Sequence, residues 1–230
     1  MDHALTMLCT TYVKDIDIPV PNNNVFTNNM SESLKVGSYN CRGFPKTPSK
    51  LVSKPTIKLL LDNENTDILC LQETFLSKQD LSCLNVIHKD FQGIGASSTD
   101  TRDKLITGHP YGGVAILYKT KFAKCISPIY FNLDWVIGIS INSGRNKHVI
   151  LCVYLKSVSG GDEDHNGIFQ GQLEELKCII NELDTTSVKG ILGGSRLKSL
   201  FGVSETYFLC SLIEKKKIIL KKKILSYVIS

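Results

Sequence analysis

The forty residues from 34 to 73 constrain the fold more than any other stretch. "LKVGSYN" (34–40) has the alternation of a strand and runs into "CRGFPKTPS", a Gly/Pro/Ser loop. A helical segment follows from about Ser49 to Asn63, with Pro55 kinking it or delaying its start, because proline lacks an N–H and its ring crowds the preceding turn. Next comes "TDILCLQE" (66–73), an apolar run of the kind found in a strand covered on both faces. Strand, helix, strand favours a parallel pair joined by a right-handed crossover. Both strands then end on one edge of the sheet, which brings Asn40 and Glu73 together although 33 positions separate them.

The rest of the chain extends this unit into a layered fold. "GGVAILYK" (112–119), "DWVIGISIN" (134–142) and "KHVILCVYL" (147–155) are strand-like, and the last two flank the short turn "SGRN" as a hairpin. After a polar loop (157–166), "IFQGQLEELKCIINEL" (168–183) puts Leu173, Leu176, Ile179, Ile180 and Leu183 on one helical face. "VKGILGG" (188–194) reads as a last strand, stopping at a Gly-Gly pair as a buried strand does where its end approaches a ligand. The pattern predicts an α/β fold with mixed sheets rather than a purely parallel, doubly wound one.

Domain organisation follows from where that pattern starts and stops. Residues 1–33 are polar, Asn-rich and aperiodic, and read as a disordered arm; 34–194 form the domain. Residues 195–230 follow neither period: on a helical wheel Ile218, Ile219, Leu220, Ile224 and Leu225 point in many directions between lysines, unlike a membrane-surface helix. This divergent basic tail resembles translated A/T-rich sequence.

Composition narrows the function classes. At 230 residues and 42% hydrophobic content the chain can bury one sizeable core. Its eight cysteines include no C-x-x-C pair and several lie inside apolar runs, which fits reduced, buried thiols rather than disulfides or a zinc site. No basic-then-apolar leader opens the sequence, and no uninterrupted apolar run approaches the ~20 residues of a membrane span. The expectation is an intracellular protein, nuclear or cytoplasmic, with no membrane and no obligate protein partner. The net charge of +5 does not by itself argue for a nucleic-acid partner. Residues 195–230 carry 8 Lys and Arg against 2 Asp and Glu, leaving 19 against 20 for residues 1–194. Any such argument must rest on particular side chains.

Asn40 in "SYNCRG", Glu73 in "LQET", "YGGVAILYK", Tyr154 in "VYLKS" and the strand "GILGG" carry a resemblance over residues 34–194. In order and spacing they resemble the endonuclease/exonuclease/phosphatase superfamily, and most closely the endonuclease domain of LINE-type retrotransposon reverse-transcriptase polyproteins. The resemblance implies an α/β/β/α sandwich, here C-terminally truncated, and a Mg²⁺-dependent enzyme that hydrolyses DNA phosphodiester bonds, as in target nicking. Other branches of the superfamily hydrolyse inositol phosphates and sphingolipids; "SYNCRG" and "LQET" lean towards the retroelement branch by analogy.

The chemistry accounts for the residue types. Hydrolysing a phosphodiester needs a cation to neutralise phosphate oxygens and leaving group, and a base to activate water. Mg²⁺ keeps several waters, so one or two carboxylates suffice to hold it. By resemblance Glu73 is a metal ligand, Asn40 orients the metal-bound water or a phosphate oxygen and contributes to the metal site, and Tyr154 hydrogen-bonds the phosphate region. The family's strand continues as Gly-Asp-Phe-Asn or similar, and here Ser195 and Leu197 fall where that Asp and Asn would be. A further Ser-Asp-His motif supplies the family's second acid and its catalytic His, whereas residues 195–230 contain neither Asp nor His. The sequence therefore predicts an incomplete, impaired copy of the endonuclease; the alternative is a non-catalytic binding remnant of the same fold.

Each residue also has a plainer reading. Asn before Arg-Gly is commonly a turn former, a strand-end Glu a solvated acid, and a sheet Tyr a packing residue. His109 and His165 read as loop residues outside catalysis, and Asp162, Glu163 and Asp164 as a solvated acidic loop.

Overall fold

The computed structural model describes residues 9–12, 34–62, 66–100, 112–143, 146–155, 163–183, 187–192, 213–214 and 217–218, with side chains over 34–62, 66–100, 112–142, 147–155 and 167–183. The crossover unit forms as the sequence predicts. Strand β2 (Lys35–Asn40) lies parallel to β3 (Ile68–Gln72), with Val36 opposite Ile68 and Asn40 opposite Gln72.

Between them the chain forms two short helices, not one. Helix α1 (Pro48–Leu51) closes with turns from Ser53 N to Lys50 O and Lys54 N to Leu51 O, and α2 (Pro55–Asp62) begins on Pro55. A proline at a first helical position loses no intrahelical bond. In a single helix over 49–63 the same ring would stand in the interior, so the chain breaks there.

The first strand, β1 (Cys9–Tyr12), adds antiparallel to β2 from within the stretch read as an arm; the other residues of that stretch up to 33 lie outside the described ones. With β4 (Phe91–Ala96) and β5 (Val114–Lys119) it makes a five-stranded sheet ordered β1-β2-β3-β5-β4, in which the β2–β3 pair is parallel and the rest antiparallel. The second sheet is ordered β6-β7-β8-β9, from β6 (Ile126–Ile129), β7 (Val136–Ser143), β8 (Asn146–Val153) and β9 (Ser187–Leu192). The expected hairpin is the β7–β8 pair, and β9 runs parallel to β8.

Period-two alternation sorts the apolar side chains into layers. From β3, Ile68 and Cys70 meet Ile137, Ile139, Ile150 and Cys152 of the second sheet, while Leu69 and Leu71 pack under Leu51, Ile57, Leu60 and Leu61 of α1 and α2. From β8, Val149, Leu151 and Val153 face Phe169, Leu176 and Ile179 of α3 (Glu163–Glu182). The architecture is thus an α/β/β/α sandwich with mixed sheets. Glu163, Asp164 and His165, read as loop residues, belong to the start of α3; Asp162 and His109 lie outside the described residues.

Strand β4 and the 3₁₀ helix Lys78–Asn85 escaped the sequence reading because "FQGIGA" looks like a glycine-broken loop. Its glycines instead admit neighbours: a Cβ on Gly95 would stand 2.8 Å from Leu81 Cδ2 of the 3₁₀ helix, and one on Gly93 2.5 Å from Leu117 Cδ2. Edge strand β6 was missed as well. In the tail read as patternless, β10 (Ile213–Glu214) pairs antiparallel with β11 (Lys217–Ile218). No described helix is long and apolar enough to cross a membrane.

Candidate active site

The parallel register places the site before any side chain is considered. Asn40, Gln72, Val114 and Ala96 form one row across the first sheet. Asn40 continues the inward face of Val36 and Ser38 on β2, and Tyr154 the inward face of Ile150 and Cys152 on β8. In the second sheet Val153 pairs with both Val136 and Leu192, so the C-terminal end of β9 arrives on the strand that leads into Tyr154. Ser195 and Leu197, three and five positions beyond Leu192, lie outside the described residues.

Glu73 leaves β3 in a backbone conformation that bulky residues rarely adopt, with φ +51°, and Phe75 follows at +54°. Hydrogen bonds from both sides hold this segment. Cys41 N donates to Gln72 O (2.9 Å), Gly43 N to Glu73 O (2.7 Å) and Phe44 N to Thr74 O (2.7 Å). Opposite, Thr74 N donates to Gly113 O (3.2 Å) and Phe75 N to Gly112 O (3.0 Å). The "CRG" and "GG" of the motifs therefore have a structural role: they clamp the turn that carries Glu73. Gly43, Gly112 and Gly113 all have positive φ, and a Cβ on Gly113 would meet Thr74 Oγ1 at 2.7 Å.

Across the mouth of the sandwich the Tyr154 hydroxyl donates to Glu73 Oε1 at 3.0 Å, and Tyr154 N is tied to Trp135 O at 2.8 Å. Asn40 Oδ1 accepts from Arg42 N at 3.3 Å. Its Nδ2 is buried and, with Thr74 Oγ1, lacks a hydrogen-bond partner among the described residues. A buried amide donor left unpaired is costly, and such groups usually meet a ligand or water.

Sequence reasoning missed Gln72. It is fully buried between the sheets, where its Nε2 donates to Ser38 Oγ (3.0 Å) and lies 3.4 Å from Cys152 Sγ. The available signal was a lone amide inside the apolar run "DILCLQ".

Thiol chemistry does not fit the site. Burial pushes the Cys41 thiol far above its ordinary value, and its sulfur donates to Gln72 O at 3.1 Å. The protonated thiol is a poor nucleophile. Among the described residues no group of three or more His, Cys, Asp or Glu is placed to hold a metal ion. What the site does offer is the Glu73 carboxylate, the Asn40 amide oxygen and, beside them, an unsatisfied N–H. That set fits a hard divalent cation, which takes oxygen ligands and retains water, with an anion next to it.

Similar folds occur among solved structures. The 3'-5' exonuclease NExo from Neisseria meningitidis is 16% identical, with TM-score 0.45, over 70% of this chain and 57% of that one. The AP endonuclease LMAP from Leishmania major is 12% identical, with TM-score 0.47, over 77% and 61%. The endonuclease domain of TRAS1, a telomere-specific non-LTR retrotransposon, is 12% identical, with TM-score 0.38, over 69% and 58%. The chain thus spans a little under two thirds of these proteins' lengths. No curated protein matches the sequence. Residues 37–172, more than half of the chain, match the Endonuclease/Exonuclease/phosphatase family, and it is to this family that the chain belongs.

Proposed function

We propose that this domain derives from a Mg²⁺-dependent endonuclease acting on DNA phosphodiester bonds, and that it keeps the phosphate- and metal-facing half of the site. The observation that carries the reading is the pairing of Tyr154 with Glu73 across the two sheets, with Asn40 Nδ2 at the end of the neighbouring strand lacking a partner among the described residues.

Glu73 and Asn40 would hold Mg²⁺, which when bound neutralises charge on the phosphate and the departing oxygen. Asn40 Nδ2 donates to a non-bridging phosphate oxygen. The Tyr154 hydroxyl, positioned by Glu73, turns its proton towards the phosphate as negative charge builds there. Neither Asn40 nor Tyr154 is suited to take a proton from water, and Glu73 is assigned to the metal. With Ser195 and Leu197 at the positions of the family's Asp and Asn, general-base assistance is missing, a loss of about 10²- to 10⁴-fold. "SYNCRG" and "LQET" favour the retrotransposon branch and target nicking. The same Ser195 and Leu197 favour, as second reading, a non-catalytic binding or interaction remnant of the same fold.

Plasmid nicking in Mg²⁺ tests the first reading, with Glu73→Ala as control. The expected result is slow, Glu73-dependent nicking, about 10²- to 10⁴-fold below a family member with a complete motif set. Nicking indifferent to Glu73 contradicts the assignment of the site, and a rate equal to that of the complete enzyme contradicts the impairment.

A further inference from the structure

The geometry points to a second nucleic-acid subsite, an aromatic groove that takes the single strand flanking the phosphodiester held by Asn40 and Glu73. It rests on the nuclease reading above for the location of that phosphodiester. The groove, about 660 Å³, lies at the open edge of the sandwich between the end of β4 and the loop joining β6 to β7. Lys78, Ser97, Ser98, Tyr130, Phe131 and Asp134 are among its walls.

Two registers place the groove on the same edge of the sandwich as the site. In the first sheet Ala96, a groove residue, stands in the row Asn40–Gln72–Val114–Ala96. At a strand spacing of about 4.8 Å this is about 14 Å from Asn40. In the second sheet Asp134 and Val136 of the groove flank Trp135, whose carbonyl accepts from Tyr154 N. A strand leaving the candidate site would reach the groove after about four nucleotides at a rise of about 3.4 Å each.

The lining suits a nucleic-acid strand. Tyr130 is 66% exposed, unusual for a large aromatic side chain that nothing covers. Its neighbour Phe131 is partly buried against the α3-side core and fixes the loop, while Asn132 bends it with φ +55°. An exposed aromatic ring offers a stacking surface to any base, and Lys78 on the opposite side offers a charge to the phosphate backbone. Asp134 repels phosphate at the Trp135 end. The backbone therefore follows the Lys78 and Ser97 wall, and the bases turn to Tyr130.

The test uses the full chain in EDTA and labelled oligothymidylates of two to eight nucleotides, read by fluorescence anisotropy and so independently of cleavage. Affinity should rise about tenfold or more between two and six nucleotides, consistent with one added stacking contact. Tyr130→Ala should abolish the gain and Tyr130→Phe keep it. Lys78→Ala should lower the slope of log K against log salt by about 0.7. Equal length dependence in wild type and Tyr130→Ala overturns the proposal, as does absent binding. If the Tyr130-dependent gain is present but nicking ignores Glu73, the subsite stands and the catalytic reading falls; the opposite pair of results separates them the other way.

Discussion

The hydroxyl of Tyr154 donates to Oε1 of Glu73 at 3.0 Å, joining residues 81 positions apart and the two sheets of the sandwich. It ties the carboxylate of the "LQET" motif, at the end of the first sheet, to the motif tyrosine that follows β8 of the second. Tyr154→Phe removes one oxygen and leaves the ring in place. Under the proposed mechanism nicking should fall about 10²-fold, the usual cost of losing one donor to a developing oxyanion, with thermal stability lowered by a few degrees at most. Single-turnover nicking and a melting curve on the same preparation check both.

Gly112 and Gly113 offer a matched pair of substitutions. Gly113→Ala adds a Cβ 2.7 Å from Thr74 Oγ1 at φ +78°, whereas Gly112→Ala, at φ +70°, adds one that meets nothing closer than the Tyr154 ring at 4.0 Å. Backbone strain alone is about 1–2 kcal/mol, so Gly112→Ala should cost about that and Gly113→Ala at least about 1 kcal/mol more. Urea midpoints for the two variants should rank in that order.

Gln72→Ala should destabilise by about 2–4 kcal/mol, since it empties volume between the sheets and deprives buried Ser38 of its partner. Gln72→Leu refills the space but still strands the hydroxyl, so it should recover part of the loss. Equilibrium unfolding of both variants measures the difference.

Acid should weaken the turn after Phe75. Burial by itself raises the Asp80 carboxyl, but hydrogen bonds from Lys46 and from Ser77 outweigh it and hold the group below the usual carboxylate range. A folded value below the unfolded one means that the stabilisation is complete above the unfolded value of about 3.9 and is lost as pH falls through the folded one. Asp80→Asn should therefore be less stable than wild type at neutral pH, and the gap should narrow below about pH 4. Urea midpoints across pH 7 to 3 test this.

The crossover unit was legible because its signals agree. An uninterrupted apolar strand, a helical segment between two strands, and polar strand ends at Asn40 and Glu73 all follow from local chemistry. A place for Tyr154 at the phosphate came only from family resemblance, and its bond to Glu73 was not foreseen, because nothing in the spacing of β3 and β8 states that their sheets face each other. Strand β4 was hidden for a physical reason: Gly93 and Gly95 serve packing by Leu81, Leu84 and Leu117, while glycine in sequence signals a turn. Gln72 was hidden likewise, since a buried amide gains meaning only once Ser38 and Cys152 are known to surround it. Single-helix periodicity over 49–63 failed at one residue, Pro55, whose alternative role as a helix start the pattern does not weigh.

The central claim is that Glu73 and Asn40 share one site for a divalent cation. A crystal of the protein soaked with Mn²⁺ in place of Mg²⁺ tests this most directly through the anomalous signal of the ion. The account predicts a single strong peak coordinated by a Glu73 carboxylate oxygen and within reach of the Asn40 amide, lost in Glu73→Gln. A peak bound elsewhere, or one that survives Glu73→Gln unchanged, would contradict it.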